Sequence, residues 1–220
     1  MPLQPGLHAD FRAAENVSSV DTAGTAGSSG STSWDLSVAF SGDHDDVVQT
    51  LDLSTQWFGP DFPGATYAAQ LSDSSNLLGV FTLTATALEL SGVASPASGS
   101  SQTEIKYAPA VTVLAFPIQM GGTWTTASTV TGTAEGLPVI YYETYQSSVD
   151  AHGSLKTPYA TFQVLRVNTL LTRVVGGITS TTRTFSFITD CFGTVASVVS
   201  NTDELTTDFT TAAVVSRLAP

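Results

Sequence analysis

The sequence predicts an all-β fold, an antiparallel sandwich or a strongly curved, barrel-like sheet of about ten strands. Three observations carry this expectation. Large apolar residues recur at every second position, Gly and Pro break the chain at short intervals, and helical periodicity is nearly missing. In Trp34-Asp35-Leu36-Ser37-Val38-Ala39-Phe40 the alternation is that of a half-buried strand. Phe81–Ala87 repeats it with Thr on the other face, where the β-branch fits the pleat and the hydroxyl meets water. Further strands are expected over Val47–Leu53, Pro109–Pro117, Thr123–Thr133, Val139–Tyr145, Ala160–Thr169, Leu170–Val175, Ile178–Phe187, Gly193–Ser200 and Phe209–Arg217. Gly176-Gly177 suits the positive φ of a type I′ or II′ hairpin turn. Gly59–Gly64 and Ser91–Ser101 read as loops. Residues 1–33 read as a weakly ordered or extended segment, and 34–220 as a single all-β domain with a sub-boundary near 91–106.

Composition narrows the function classes. The 220 residues include 33 Thr and 26 Ser, with 42% hydrophobic and only 12% charged residues. Apolar residues spread this widely exclude a disordered acidic tail. Seven Lys+Arg against nineteen Asp+Glu, a net charge of −12, exclude nucleic acid and an anionic membrane surface as partners. Residues 1–105 hold one basic residue, Arg12, against twelve acidic ones, whereas 106–220 hold six against seven. That asymmetry serves solubility or divalent-cation affinity. A single cysteine, Cys191, rules out an intrachain disulfide and reads as a small core residue. No apolar run reaches the length of a transmembrane helix. Met1-Pro2-Leu3-Gln4-Pro5 lacks the regions of a signal peptide. Scarce Lys and abundant Ser/Thr nevertheless fit a secreted bacterial β-protein. The expected location is extracytoplasmic (periplasm, outer-membrane surface or secreted), with the export signal gone from this sequence.

Motifs for chemistry are sparse. G-x-S-x-G, H-E-x-x-H and phosphate-binding loops do not occur, and His8, His44 and His152 are far apart. No catalytic residue is assigned and no enzyme is expected. A glycoside hydrolase, the weakest reading, would need two carboxylates about 5–10 Å apart. No cofactor is expected except Ca²⁺ at Asp43, Asp45 and Asp46, a cluster equally consistent with a solvated turn. It departs from the EF-hand pattern, with Val48 and Ser54 where Gly and Glu would stand. Trp57, Phe58, Phe62 and Tyr67 sit among Gly and Pro, as a stacking platform for a sugar or peptide or as a plug on the end of a β-core. Arg166 shares a strand face with Phe162 and Val164 and needs a partner, for which Glu135, Glu143 and Asp190 are candidates. It forms either a structural ion pair or an anion clamp in a pocket lined by Tyr141, Tyr142 and Tyr145.

Four segments carry a resemblance: Trp34-Asp35-Leu36-Ser37; Phe62-Pro63-Gly64-Ala65-Thr66; Leu114-Ala115-Phe116-Pro117-Ile118 through Gly122-Thr123-Trp124-Thr125; and Thr157-Pro158-Tyr159-Ala160-Thr161-Phe162-Gln163-Val164-Leu165-Arg166-Val167. In this order the chain resembles a loose group of uncharacterised exported β-proteins and lipoproteins of Gram-negative bacteria. The resemblance implies export and an all-β body, and no catalytic residues. The C-terminal part also looks distantly like periplasmic lipid-carrier sheets, a likeness of fold alone.

The leading expectation is thus a non-enzymatic extracytoplasmic β-domain for surface structure or for binding a protein partner or a ligand. The alternative is a carrier of an apolar, lipid-like ligand in a curved sheet. That alternative requires an apolar cavity of a few hundred Å³, lined from strands such as Phe81–Ala87 and Val139–Tyr145.

Overall fold

The computed structural model describes residues 4–72 and 75–220; Met1–Leu3, within the stretch read for an export signal, lie outside them. Fourteen strands form one sheet. They are β1 (His8–Val17), β2 (Thr25–Ala26), β3 (Thr32–Asp35), β4 (His44–Leu51), β5 (Tyr67–Ser72), β6 (Ser75–Leu83) and β7 (Ala87–Ala94). There follow β8 (Glu104–Ala115), β9 (Thr123–Ala134), β10 (Leu137–Lys156), β11 (Thr161–Val175), β12 (Ile178–Thr189), β13 (Gly193–Ser200) and β14 (Ala212–Leu218). Twelve of them close into an antiparallel barrel in the order β11-β12-β13-β14-β1-β4-β5-β6-β7-β8-β9-β10, with β10 returning to β11. β3 lies parallel on β10 through 153–156, beyond the end of β9, and β2 pairs with β3. The ring is thinnest between β4 and β5, which share only Thr50↔Ala69 and Leu51↔Ala68.

Several strands depart from the sequence reading. The N-terminal segment, read as weakly ordered or extended, supplies β1, wedged between β14 and β4 with Ala13 and Ala14 buried. The expected strand Trp34–Phe40 stops at Asp35, whose carboxylate accepts hydrogen bonds from the Ser37 N–H (2.9 Å) and hydroxyl (2.6 Å) and turns the chain away. Those two bonds hold the Asp35 carboxyl below its usual pKa. Phe81–Ala87 is likewise interrupted, because the Thr84 hydroxyl accepts from the Ala87 N–H (2.9 Å) and makes a turn between β6 and β7. The segment 91–106 runs through the end of β7 and the connection to β8 within the same sheet. The Gly176-Gly177 turn is as expected, with φ of 59° and 85° joining Val175 to Ile178.

Side chains alternate between the lumen and the outside. On β9, Thr126, Ser128 and Val130 face inward and are buried, whereas Thr123, Thr125 and Thr131 face outward and are exposed. The outside bears these threonines and the Arg12–Asp45 ion pair, together with exposed Val47, Ile140 and Tyr142. No helix among the described residues is long and apolar enough to cross a membrane.

Two coverings bury parts of the outer face. Over β10–β14 and β1, the segment carrying Val20, Trp34 and Leu36 packs with Phe209 against Val164, Phe185, Phe187, Val198 and Val215. Two guanidinium groups pin this cover. Arg166 binds both Asp150 oxygens (2.9 and 3.1 Å), donates to the Thr22 carbonyl (2.7 Å), and lies over the Phe185 ring at 4.3 Å. Arg217, fully buried, donates to the carbonyls of Arg12 and Val38 and to Asp43, beneath Phe40. Burial lowers the Arg217 pKa against the opposing pull of Asp43. Over β5–β7, the loop Leu53–Phe62 lays Phe58 and Phe62 onto Ala68, Leu78, Val80 and Ala94. Gly92 permits this close approach, since a Cβ there would enter the Phe62 ring and the Ile105 carbonyl.

Gly92→Ala therefore costs about 1–3 kcal/mol by overpacking, seen as a melting temperature several degrees lower by circular dichroism. Asp150→Ala removes the bidentate partner of the buried Arg166 guanidinium, leaving it Asp208 at 3.6 Å and the Thr22 carbonyl, at a cost of up to about 3–5 kcal/mol. Asp45→Ala at the exposed Arg12 pair changes stability by about 1 kcal/mol or less. Chemical denaturation of the two variants side by side checks this order.

Candidate functional site: the cavity at one end of the barrel

The lumen is chemically two-sided. Its β5–β11 wall is apolar: Tyr67, Phe81, Leu88, Leu90 and Val111 form one cluster against Leu114 and Tyr145, and Val149, Val167 and Ile188 form another against Ile118, Trp124 and Leu165. The wall from β12 to β14 turns Thr184, Ser186, Ser197 and Ser216 inward, each half-buried. Apolar packing on one side and hydroxyls on the other leave space between them.

That space is a cavity of about 930 Å³ at the end where β8 leaves the barrel, β10 turns into β11, and β12 turns into β13. Its apolar lining includes Leu7, Leu88, Leu114, Phe116, Leu165 and Ile188. Its polar lining comprises Gln4, His152, Gln163, Thr189, Asp190, Cys191 and Thr194. Alternation explains the placement. His152 opposes Leu165, and Ser154 opposes Gln163, so all four face the lumen after the β-bulge at Asp150 resets the register. The His152 Nδ1 is buried without a hydrogen-bond partner. Cys191, expected in the core, is instead exposed at the mouth. Among the described residues, Asp190 is the one carboxylate in the lining. Beside the mouth, Phe162 stacks with Tyr159 and meets the edge of Phe192.

Deeper along the apolar wall lies a buried polar knot. The Glu143 carboxylate, almost fully buried, accepts from the Tyr145 hydroxyl (2.6 Å) and from Arg173 Nε (2.6 Å). The Arg173 guanidinium lies over Tyr141 at 5.6 Å. Burial, then the neighbouring Tyr107 and Glu143, raise the Tyr145 pKa; burial and Glu143 likewise raise those of Tyr107 and Tyr141. Tyr67, stacked on Phe81 at 5.3 Å, is pushed up by burial to about 12.

The residues singled out from the sequence are thus dispersed. Trp57, Phe58 and Phe62 belong to the outer covering rather than to a platform or an end plug, and the Trp57 indole donates to the Ser95 carbonyl (2.9 Å). Tyr67, Tyr141 and Tyr145 are on the lumen side, while Tyr142 is exposed outside. Arg166 pairs with Asp150 and lies 3.6 Å from Asp208, instead of Glu135, Glu143 or Asp190. Asp43 is taken by Arg217 and Asp45 by Arg12, while Asp46 falls on the opposite strand face from Asp45. Among the described residues, no group of three or more His, Cys, Asp or Glu is placed to hold a metal ion. His152, Gln163 and Ile188 were missed as a site. Extending the alternation beyond Tyr145 would have put His152 on the outer face; the bulge at Asp150, which carries no sequence signal, turns it to the lumen.

The tyrosines give a measurable signature. A raised tyrosine pKa means the native state keeps its proton where the unfolded chain has lost it. The associated stability is complete below the ordinary pKa near 10 and declines as pH rises through the native values. Melting temperature should therefore fall between pH 10 and about 12 for the Tyr67 contribution. Tyrosinate absorbance should show four of the six tyrosines resisting ionisation at pH 10 until unfolding.

No protein-family model, curated protein or solved structure matches the chain.

Proposed function

We propose that this protein is a non-enzymatic, extracytoplasmic β-barrel domain that binds an apolar ligand in the cavity at the β10–β11 end. The observation that supports this reading is the cavity itself. At about 930 Å³ it falls in the range that encloses a drug-sized ligand, and apolar side chains from facing walls line it. Leu88 and Leu114 stand on one wall, with Leu165 and Ile188 on the other. An apolar chain placed between them gains about 25 cal/mol for each Å² removed from water. The scarcity of Lys and the abundance of Ser and Thr support the location outside the cytoplasm, as does the resemblance to exported β-proteins.

The test is binding of the uncharged fluorophore N-phenylnaphthylamine. Saturable enhancement of its fluorescence is expected, with a rise in melting temperature, because a ligand specific for the native state stabilises it. Cys191, the single cysteine, stands at the mouth, so bound probe should also slow its reaction with a thiol reagent. Leu165→Arg, which puts a charge into the cavity, should weaken probe binding by about tenfold or more while the circular dichroism spectrum is retained. Undiminished binding to that variant would place the probe elsewhere and overturn the reading.

A further inference from the structure

The polar groups of the cavity specify the head of the ligand as well as its tail; this rests on the cavity reading above. We infer that the cavity selects single-chain amphiphiles with an uncharged, hydroxylated head, of the acylglycerol or long-chain alcohol class, over free fatty acids.

Charge is the first ground. Among the described residues no Lys or Arg lines the cavity, and the one formally charged side chain there is the Asp190 carboxylate at the mouth. A fatty-acid carboxylate entering there would surrender hydration, find no fixed cation, and face a like charge. The nearest lumen-facing guanidinium in the chain's own chemistry, Arg173, is already bound to Glu143 and is absent from the lining. The protein's net charge of −12 adds repulsion at longer range.

Hydrogen bonding is the second ground. His152 lines the cavity as an imidazole whose Nδ1 is buried and makes no hydrogen bond within the protein, so the ring is an uncharged or protonatable polar group beside the ligand space. Gln163 and Thr189 lie in the same lining, so donors and acceptors are both present. A hydroxyl both donates and accepts, and matches such a set whichever tautomer His152 adopts. The Thr and Ser residues that β12–β14 turn inward extend this uncharged, hydroxyl-bearing wall from Thr194 at the cavity. The acyl chain then lies toward Leu88, Leu114 and Phe116, with its head toward His152 and Gln163.

The experiment is displacement of N-phenylnaphthylamine by three amphiphiles of equal chain length, each below its micellar concentration: tetradecanoate, monotetradecanoylglycerol and tetradecyltrimethylammonium. The glycerol ester is expected to bind at least about tenfold more tightly than the carboxylate, a difference of one unshared hydrogen bond or one repelled charge. His152→Leu should weaken the glycerol ester by about tenfold and leave tetradecanoate little changed. Asp190→Lys should strengthen tetradecanoate about threefold or more and leave the ester unaltered. Equal binding of the three amphiphiles would overturn the head-group selectivity while leaving the apolar cavity in place. Tighter binding of the carboxylate or the ammonium compound would overturn it in the same way. Failure of the probe and all three amphiphiles to bind would overturn the cavity reading and this inference with it.

Discussion

The number of strands is the constraint on which the rest of the structure depends. An eight-stranded barrel is just narrow enough for its own side chains to fill. Twelve strands at ordinary spacing set opposite walls roughly 20 Å apart, about twice the distance that interdigitating side chains span. A circular barrel of that width could not be packed from within by residues of normal size, and here part of the ring closes up so that β5 and β6 pack against β8 and β10. The chain meets the problem in two ways. Aromatic residues fill part of the lumen, where Tyr67 and Phe81 from β5 and β6 meet Tyr145 from β10. Much of the remaining apolar burial is moved outside, under the cover over β10–β14 and the loop over β5–β7. What is filled by neither is the cavity.

Moving a core outside the barrel creates a need for anchoring, because a covering segment has water on its far side. Arg166 and Arg217 meet it from the sheet face. Each reaches out of the barrel to backbone carbonyls of the covering chain, Thr22 for Arg166 and Val38 for Arg217. Each also has a carboxylate and an aromatic face, so the charge is satisfied on several sides. Such pairs are weak evidence for net stability, because desolvation offsets the Coulomb attraction. Their geometric demand is strict. A cover shifted along the strands would leave two guanidinium groups buried and unpaired, which makes the observed register the acceptable one.

What could be read in the sequence follows from this arrangement. β9, β12 and β13 were legible because one face meets water or hydroxyls and the other packs, so period-2 alternation is clear. β1 was not, since His8–Val17 takes its place through Ala13 and Ala14, which are small and carry little hydrophobic signal. β10 was recognised only near Tyr141, for its later half passes through Ser147, Ser148 and a bulge that breaks the alternation. The cavity residues were invisible for the same reason: they lie on strand ends distant in sequence, brought together by closure of the ring. Trp57 and its neighbours advertised themselves as a ligand platform because an outer cover and a binding surface need the same rigid aromatics. Only knowing which face they lie on separates the two.

The acidity of the first 105 residues takes on a different meaning in the folded chain. Three basic residues of the second half find partners there: Lys106 lies 3.8 Å from Asp61, Lys156 lies 3.6 Å from Asp35, and Arg217 binds Asp43. Asp61 belongs to the outer loop on β5–β7, and Asp35 to β3 at the edge of β10. The charges thus tie coverings drawn from the first half to strands drawn from the second. The two lysine pairs are solvent-exposed, so each contributes about 1 kcal/mol or less; their value lies in opposing misplacement of the covers. The cavity, by contrast, takes part in none of these pairings and holds a single carboxylate. Apart from the Glu143–Arg173 pair deeper in the lumen and Asp190 at the cavity, these pairings hold the outside of the barrel, and the cavity is lined by apolar and neutral hydrogen-bonding groups.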